Sequence, residues 1–522
     1  MFCCIILIYT VHNIEINDQF QHALDVMEKT VKSVFITGRA GTGKSTLLEY
    51  FRSITRKKIA VLAPTGVAAL NIKGQTIHSF FGFRPDITPY KVNRIEKDDS
   101  IFKKLDIIVI DEISMVRADL LDCMDKFLRL NGPSSRNPFG GIQMVFVGDL
   151  YQLPPVVTSK EKAVFTDLYE TPYFFSSQVF KTFDMEFIEL EKVYRQHDQR
   201  FIELLNAIRN NSIEADGLGL LNERFVPEQN TPGGGLSVRL TTTNAMASDI
   251  NAGELTKLRG KSRTFKALRE GKFGDEYLPT AEELTLKVGA QVMMLNNDYG
   301  GRWVNGSMGK ILGFKKDEGG DLYIRVRLSD GEDVEVEPFA WEIISYKVEG
   351  REIVSETVGT YTQYPLMLAW AVTIHKSQGK TFERVVIDIG KGTFAHGQMY
   401  VALSRCTSLD GIVLKQPILK KHIWMDWRVV QFVTDYQYNK AEEVFSAKDK
   451  ENLILQAIKE GGKLRMTYLK PNDEKSVRMI KPLEVGNFTY GGKTFRGLRA
   501  FCFNRGEERN FRIDRILEVG KV

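Results

Sequence analysis

The eight residues Gly38-Arg-Ala-Gly-Thr-Gly-Lys-Ser45 constrain the fold more than any other stretch. They follow the apolar run Ser33-Val-Phe-Ile36 and precede the helix-like Thr46–Phe51, which gives a strand, a glycine-rich loop and a helix in that order. Glycines at this spacing let the backbone wrap so that its N–H groups point at phosphate oxygens, and the helix N-terminus adds a favourable dipole. Gly38, Gly41, Thr42, Gly43, Lys44, Ser45 and Thr46 are therefore nucleotide-binding candidates, with Lys44 reaching the outer phosphates and the Ser45 hydroxyl ligating Mg²⁺.

A strand–loop–helix unit needs a parallel sheet to live in, and the chain supplies one. Ile59-Ala-Val-Leu62, Ile107-Ile-Val-Ile110 and Ile142-Gln-Met-Val-Phe-Val147 are short β-branched runs that end in small or polar residues. Such runs read as strands buried on both faces of an α/β sheet, where ligands gather beyond the carboxyl ends. A second set, Leu236–Leu240, Leu366–Val372 and Val385–Ile389, predicts a second α/β domain. Between them, alternating segments such as Leu322-Tyr-Ile-Arg-Val-Arg-Leu328 predict a small β-barrel insertion over about 286–358.

The strand ends carry the chemistry. Asp111 and Glu112 follow the third run; Asp111 suits the Mg²⁺ shell, and Glu112 suits a base that orients or deprotonates an attacking water. Together with a full phosphate loop they point to ATP hydrolysis. Gln152, in Gly148-Asp-Leu-Tyr-Gln-Leu-Pro-Pro155, suits a neutral reader of the terminal phosphate.

With these motifs in order, the chain resembles superfamily 1B DNA helicases of the PIF type (petite integration frequency). The resemblance rests on Ala63-Pro-Thr-Gly-Val-Ala-Ala69, Gly74-Gln-Thr-Ile-His-Ser-Phe-Phe81, Asp111-Glu-Ile-Ser-Met115, Leu190-Glu-Lys-Val-Tyr-Arg-Gln196, Val372-Thr-Ile-His-Lys-Ser-Gln-Gly-Lys-Thr381 and Gly397-Gln-Met-Tyr-Val-Ala-Leu-Ser-Arg405. It implies two RecA-like P-loop NTPase domains, 5′-to-3′ movement on single-stranded DNA, ATP with Mg²⁺ in the cleft, and unwinding of duplex or structured DNA such as G-quadruplexes in replication, repair, recombination or telomere-like maintenance. It also implies that Arg195 and Arg405 reach the terminal phosphate from the second domain, and that Gly379 and Gln398 line the same cleft. An N-terminal glutamine would read adenine; Gln21 has the better spacing to Gly38, and Gln19 the more motif-like context. Thr65, Gly66, His78, Ser79, Phe80, Thr243, Asn244, His375, Lys376, Ser377 and Gln378 would follow the DNA, although Phe80 reads more readily as core. Asn93–Lys104 would hold the element that splits the duplex.

Charge marks a further boundary. From Lys448 to Val522 there are 17 Lys and Arg against 10 Asp and Glu, which leaves 54 against 56 for the rest of the 522 residues. The basic tail, with Tyr468, Arg478, Phe511-Arg-Ile513 and Arg515-Ile516, resembles a WYL domain, which implies an added DNA-contact or regulatory module with Arg478, Arg505, Arg512 and Arg515 as the residues to test. The domain reading is 1–185 for the first RecA-like domain with a small insertion at 82–104, 186–435 for the second, a linker at 436–450, and a β-rich WYL-like module at 451–522; the charged stretch Asn439–Glu451 reads as a linker or an exposed helix.

Five scattered cysteines in no zinc-ligand spacing point to a reducing compartment, and the run Phe2–Tyr9 is shorter than the roughly 20 residues a membrane span needs. With the first basic residue at Lys29, the expectation is a cytoplasmic bacterial protein, nucleoid-associated through DNA and monomeric when free.

Overall fold

The computed structural model describes residues 16–84, 86–95, 101–157, 165, 168–196, 198–227, 236–316, 319–349, 352–393 and 395–522. The chain forms two compact units: one runs to Leu205 and resumes over Ala215–Ile423, and the other joins Asn206–Glu214 to Trp424–Val522.

In the first unit, the leading lobe is built from α1 (Asp18–Lys29), β1 (Val34–Gly38), α2 (Lys44–Ile54), β2 (Ile59–Ala63), α3 (Gly66–Asn71), β3 (Gln75–Thr76), α4 (Ile77–Phe81), β4 (Ile107–Ile110), α5 (Ala118–Asn131), β5 (Gln143–Val147) and β6 (Glu186–Leu190). Its six parallel strands lie in the order β3-β2-β4-β5-β1-β6. β1, β4 and β5 are buried along their whole length, as their unbroken apolar runs require in a sheet covered on both faces. α1 begins at Asn17, whose side chain accepts the Phe20 N–H, and buries Phe20, Ala23, Leu24 and Met27 against Leu47, Phe51, Val34 and Ile188. Each such large side chain contributes about 1.5–3 kcal/mol of transfer free energy.

One expectation changes here. The first lobe does not stop at 185, because β6 pairs with β1 from Val34↔Glu186 to Gly38↔Leu190. The segment 82–104 is anchored in the first lobe: Phe83 and Phe102 stack on Phe81, and both meet Phe127 of α5 edge-on. Residues 96–100 of the expected duplex-splitting element lie outside the described residues.

Past α6 (Gln199–Arg209) and α7 (Ala215–Asn222), the second lobe is a parallel sheet containing β7 (Val238–Thr241), which leads into α8 (Asn244–Lys257). The intervening insertion spans β8 (Arg263–Lys266), β9 (Leu268–Gly271), β10 (Glu283–Leu286), β11 (Gln291–Met294), β12 (Met308–Lys316), β13 (Leu322–Leu328), β14 (Asp333–Val336), β15 (Phe339–Glu349), β16 (Glu352–Gln363) and β17 (Leu366–Leu368). β18 (Ala371–Thr373), β19 (Val385–Asp388), α9 (Gln398–Leu403) and β20 (Ile412–Leu414) then complete the lobe in the strand order β18-β7-β19-β20.

The insertion is larger than 286–358, and among the described residues it is no closed barrel. It consists of an open sheet β14-β13-β12-β11-β17, a ribbon β15-β16-β9 and the pair β10-β8. The apolar run Leu366–Val372 is two strands: β17 pairs with β11 of the insertion, and β18 pairs with β7 of the lobe.

In the second unit, α10 (Trp427–Val444) and α11 (Ala447–Glu460) precede the antiparallel sheet of β21 (Leu464–Leu469), β22 (Lys475–Tyr490), β23 (Lys493–Cys502), β24 (Glu507–Arg512) and β25 (Ile516–Lys521). The expected linker 436–450 is therefore helix, broken only where Phe445 leaves helical geometry and Ser446 caps α11 by accepting the Asp449 N–H. Most of its charges lie on the solvated faces of those helices, whereas Lys450 is buried and donates to the Ala441 carbonyl at 3.2 Å. No helix among the described residues is long and apolar enough to cross a membrane.

Candidate active site and DNA-facing surface

Buried β1 delivers the phosphate loop into a cavity of about 660 Å³. Ala40, Gly41, Thr42, Gly43, Lys44, Ser45 and Thr46 line one side of it, at the start of α2. Gly41 sits at φ +82°, and a Cβ there would lie 2.5 Å from the Cβ of Arg195, so only glycine permits this approach. The Tyr194 N–H donates to the Gly41 carbonyl at 2.8 Å. Lys44 Nζ donates to the carbonyls of Gly38 (2.7 Å) and Arg39 (3.1 Å), which hold the ammonium at the loop.

Opposite the loop, β4 ends in the two acids. Glu112 lines the cavity and adopts left-handed geometry at φ +51°, a conformation that costs a non-glycine residue about 1–2 kcal/mol. Burial pushes the Asp111 carboxyl up to about 6 and that of Glu112 up to about 7; for Glu112, the neighbouring Asp111 adds to the rise, while Lys44 and Arg405 oppose it. Two adjacent buried carboxyls are poorly neutralised by the protein alone, which fits a site built to receive a cation. Asp111 and the Ser45 hydroxyl are the residues that would hold Mg²⁺, which when bound supplies charge neutralisation for the phosphates. Gln152 also lines the cavity, and its amide is oriented by a 3.2 Å bond from Nε2 to Asp149 Oδ2.

The basic side closes the site. Arg405 is almost wholly buried; its Nε donates to the Val401 carbonyl (3.0 Å) and an Nη to Ser404 Oγ (2.9 Å). Burial, with Arg195 next to it, pushes the Arg405 guanidinium down to about 9. Arg195 is likewise lowered by burial and donates to the Ser404 carbonyl at 3.2 Å. Arg405 belongs to the second lobe as expected. Arg195 does not: it follows β6 of the first sheet, so the pair approaches from both lobes.

Gly379 lines the cavity with Thr381, whereas Gln398 is wholly buried outside its lining, its Oε1 accepting the Ala395 N–H at 3.4 Å. At the N-terminal edge, Phe20 lines the cavity and Gln19 Oε1 accepts the Glu191 N–H at 2.9 Å. Gln21 is exposed and bonds Asp25 along its own helix. The structure thus sets Gln19, not Gln21, beside the Glu191–Arg195 segment. Phe20, Tyr194, Tyr400 and Thr381 were missed by reasoning from residue types; all four lie within or next to motifs, and that adjacency was the available signal.

The residues expected along DNA divide into two groups. Thr65, Ser79, Thr243, Asn244 and Lys376 are exposed, and Thr65 and Thr243 also cap α3 and α8 by accepting the N–H of Ala68 and Met246. His78 and His375 are half-buried, and burial holds both imidazoles below their ordinary value. Gln378 is half-buried. Three face inward instead. A Cβ on Gly66 would lie 2.3 Å from the Glu276 carbonyl, so α3 begins under the insertion. Ser377 is fully buried and donates to the Ile374 carbonyl at 2.7 Å. Phe80 is half-buried and packs edge-on against Phe81, Phe102 and Tyr346, as rings within a core do.

In the C-terminal unit, Arg478 is buried over the Phe511 ring and bonds Ser476, a structural role. Arg512 pairs with Asp514, Arg515 is half-buried, and Arg505 is exposed.

Comparison with known proteins gives the same picture. The family described as PIF1-like helicase matches residues 13–217, and the WYL domain family matches 450–520. An ATP-dependent DNA helicase Pif1 from Bdellovibrio bacteriovorus is 31% identical over 422 residues, covering 77% of this chain and 88% of that protein. One from Psychrobacter sp. is 32% identical over 459 residues, covering 75% and 67%. Among solved structures, Bacteroides sp. Pif1 in complex with ADP-AlF4 has 37% identity and a TM-score of 0.75, covering 82% of this chain and 98% of that one. Bacteroides Pif1 bound to ssDNA has 37% identity and a TM-score of 0.59, covering 82% and 98%. With a complete phosphate loop, an acidic strand end and arginines from both lobes around one cavity, the chain belongs to the PIF1-like helicase family of ATP-dependent DNA helicases, and it carries a C-terminal WYL domain.

Proposed function

We propose that the chain moves 5′ to 3′ along single-stranded DNA and separates duplexes and folded DNA, G-quadruplexes included, in replication, repair, recombination or telomere-like maintenance. The observation that carries the motor reading is the two-sided construction of the cavity: Lys44, Glu112 and Arg195 come from one lobe, and Arg405 from the other. Glu112 takes the proton from the attacking water, while Lys44, Arg195 and Arg405 stabilise charge on the transferring phosphoryl group. Because both lobes touch the same phosphates, each turnover changes how tightly the lobes close, and that change supplies the stroke. Thr65, Ser79, Thr243, Asn244 and Lys376 offer hydroxyl, amide and ammonium groups to phosphates irrespective of sequence. The direction rests on the resemblance to superfamily 1B, and the DNA partner on the relative solved with ssDNA.

Arg505 and Arg512 of the basic module add affinity without choosing sequence. The free protein is read as a monomer working in the bacterial cytoplasm on the nucleoid. The test is unwinding of matched 5′-tailed, 3′-tailed and quadruplex-bearing substrates by the full chain. Opening of 5′-tailed substrates alone supports the direction; opening of 3′-tailed substrates alone overturns it. Displacement of a bound protein with every duplex left intact replaces unwinding with remodelling.

A further inference from the structure

Lys380 lies between the two cavity-lining residues Gly379 and Thr381 without lining the cavity itself. Its carbonyl accepts from an Nη of Arg405 at 3.5 Å. Its ammonium points the other way and donates to Asn305 Oδ1, on the loop between β11 and β12 of the insertion. Asn305 Nδ2 in turn donates to Asn71 Oδ1 at 3.3 Å, at the last residue of α3. The other end of α3 carries Thr65 as its cap. One side chain from each of three elements thus forms a continuous line from the arginine at the phosphate site to the helix that presents Thr65.

The chemistry of the link is costly for a mere packing contact. The Lys380 ammonium has a neutral amide as partner and no carboxylate in the ion pairs of the described residues, and burial pushes it down to about 8. An apolar side chain would fill this position with less desolvation penalty. Gly306, at φ +101°, brings the insertion loop to within 3.3 Å of the Lys380 Cβ, measured from where its own Cβ would stand. The loop is shaped to meet the lysine.

We propose that Lys380 is a positioning residue which, through Asn305 and Asn71, ties the placement of Arg405 to the placement of α3, so that DNA occupancy accelerates ATP turnover. The relay rests on the proposed reading of Thr65 as a DNA contact. It assigns to the insertion a role in transmitting the signal, because Asn305 is the middle member.

The test compares basal and DNA-stimulated ATP hydrolysis of the full-length wild type, Asn305→Ala, Lys380→Met and the double variant, with oligothymidylate as the DNA. Asn305→Ala should keep basal kcat and the KM for ATP while its stimulation ratio falls about fivefold, within the range that single members of coupling networks carry. Lys380→Met should reduce the ratio similarly, and the double variant should lose no more than either single one, because both break the same line. Stimulation unchanged in Asn305→Ala, or losses that multiply in the double variant, would overturn the relay. Should Asn305→Ala also lose basal hydrolysis, Asn71→Ala at its exposed position decides: a lowered ratio upholds the relay and an unchanged ratio sinks it. A wild type that DNA does not stimulate removes the functional reading and the relay with it, whereas stimulation that all variants share removes the relay alone.

Discussion

The hydroxyl of Tyr400, on α9 of the second lobe, accepts the N–H of Ala40 in the phosphate loop at 2.9 Å. A hydrogen bond between the lobes thereby ties the phosphate loop to α9. Tyr400→Phe leaves the buried Ala40 N–H without this partner, a loss of about 1–3 kcal/mol. We expect the KM for ATP to rise roughly tenfold with a smaller change in kcat. Steady-state hydrolysis over a range of ATP concentrations measures both.

Lys44→Ala and Glu112→Gln should each reduce turnover by about 100-fold or more. They should differ in binding, since the glutamine variant keeps the phosphate loop intact and retains ATP. Equilibrium binding of a fluorescent ATP analogue alongside the hydrolysis rate separates the two. Rapid hydrolysis by Glu112→Gln would remove Glu112 from its role as base.

Gly397 holds φ +73° at the start of α9, and a Cβ there would stand 2.2 Å from the Gln152 carbonyl. Gly397→Ala should cost about 2–4 kcal/mol through backbone conformation and overlap combined, and it should lower ATPase by pushing the lobes apart. Gly219 on α7 has open space around its Cβ position, and Gly219→Ala should stabilise by about 0.5–1 kcal/mol. Paired thermal unfolding and hydrolysis assays test the contrast. A Gly397→Ala protein with wild-type activity would contradict the close contact.

Lys380 gives a stability signature that depends on pH. Its folded pKa, about 8, lies below the ordinary 10.5, so between these values the unfolded chain binds more protons at this site than the folded one. Stability from this site therefore rises as pH climbs from about 8 to 10.5, and the full penalty applies below about 8. Lys380→Met should be more stable than the wild type at pH 7 by about 1–2 kcal/mol, a figure discounted for partial exposure, and the advantage should shrink by pH 10. A stability difference independent of pH would refute the assignment.

In the C-terminal unit, the Asp473 carboxylate is buried with Arg209 at 3.5 Å and accepts from Gln437 Nε2 at 2.9 Å. Asp473→Ala withdraws the carboxylate from a buried guanidinium and should destabilise this unit by about 3–5 kcal/mol. Asp473→Asn should cost less, because asparagine tolerates the left-handed backbone at φ +57° and can still accept from Gln437. Limited proteolysis of the C-terminal segment should rank alanine above asparagine above wild type in cleavage rate.

The phosphate loop and the Asp111-Glu112 strand end were legible because phosphate and metal chemistry leave few residue choices at those positions. The insertion was legible as strands but not as open sheets: alternation reports that one face is buried, and says nothing about which strand edges meet. The run Leu366–Val372 concealed its break because apolar residues continue through Ala369 and Trp370 while the chain passes from one sheet to another. The family resemblance places Ser377 and Gly66 along the DNA. A hydroxyl can equally serve a backbone carbonyl, and a glycine can equally admit a neighbouring strand, so only the tertiary packing separates those uses. The charged stretch Asn439–Glu451 reads as a linker or an exposed helix, and the helices α10 and α11 favour the second, since charges suit either a solvated loop or a solvated helix face.

The rings of Phe80, Phe81, Phe83, Phe102 and Phe127 form one cluster beneath the exposed Ser79. The anchor and the residue proposed to meet DNA are therefore different residues on the same short segment. Variants at Ser79 change what the surface offers while the segment stays anchored; variants at the rings remove the anchor. A mutational library aimed at substrate preference has its productive positions among the former, and its losses in soluble yield should map onto the latter.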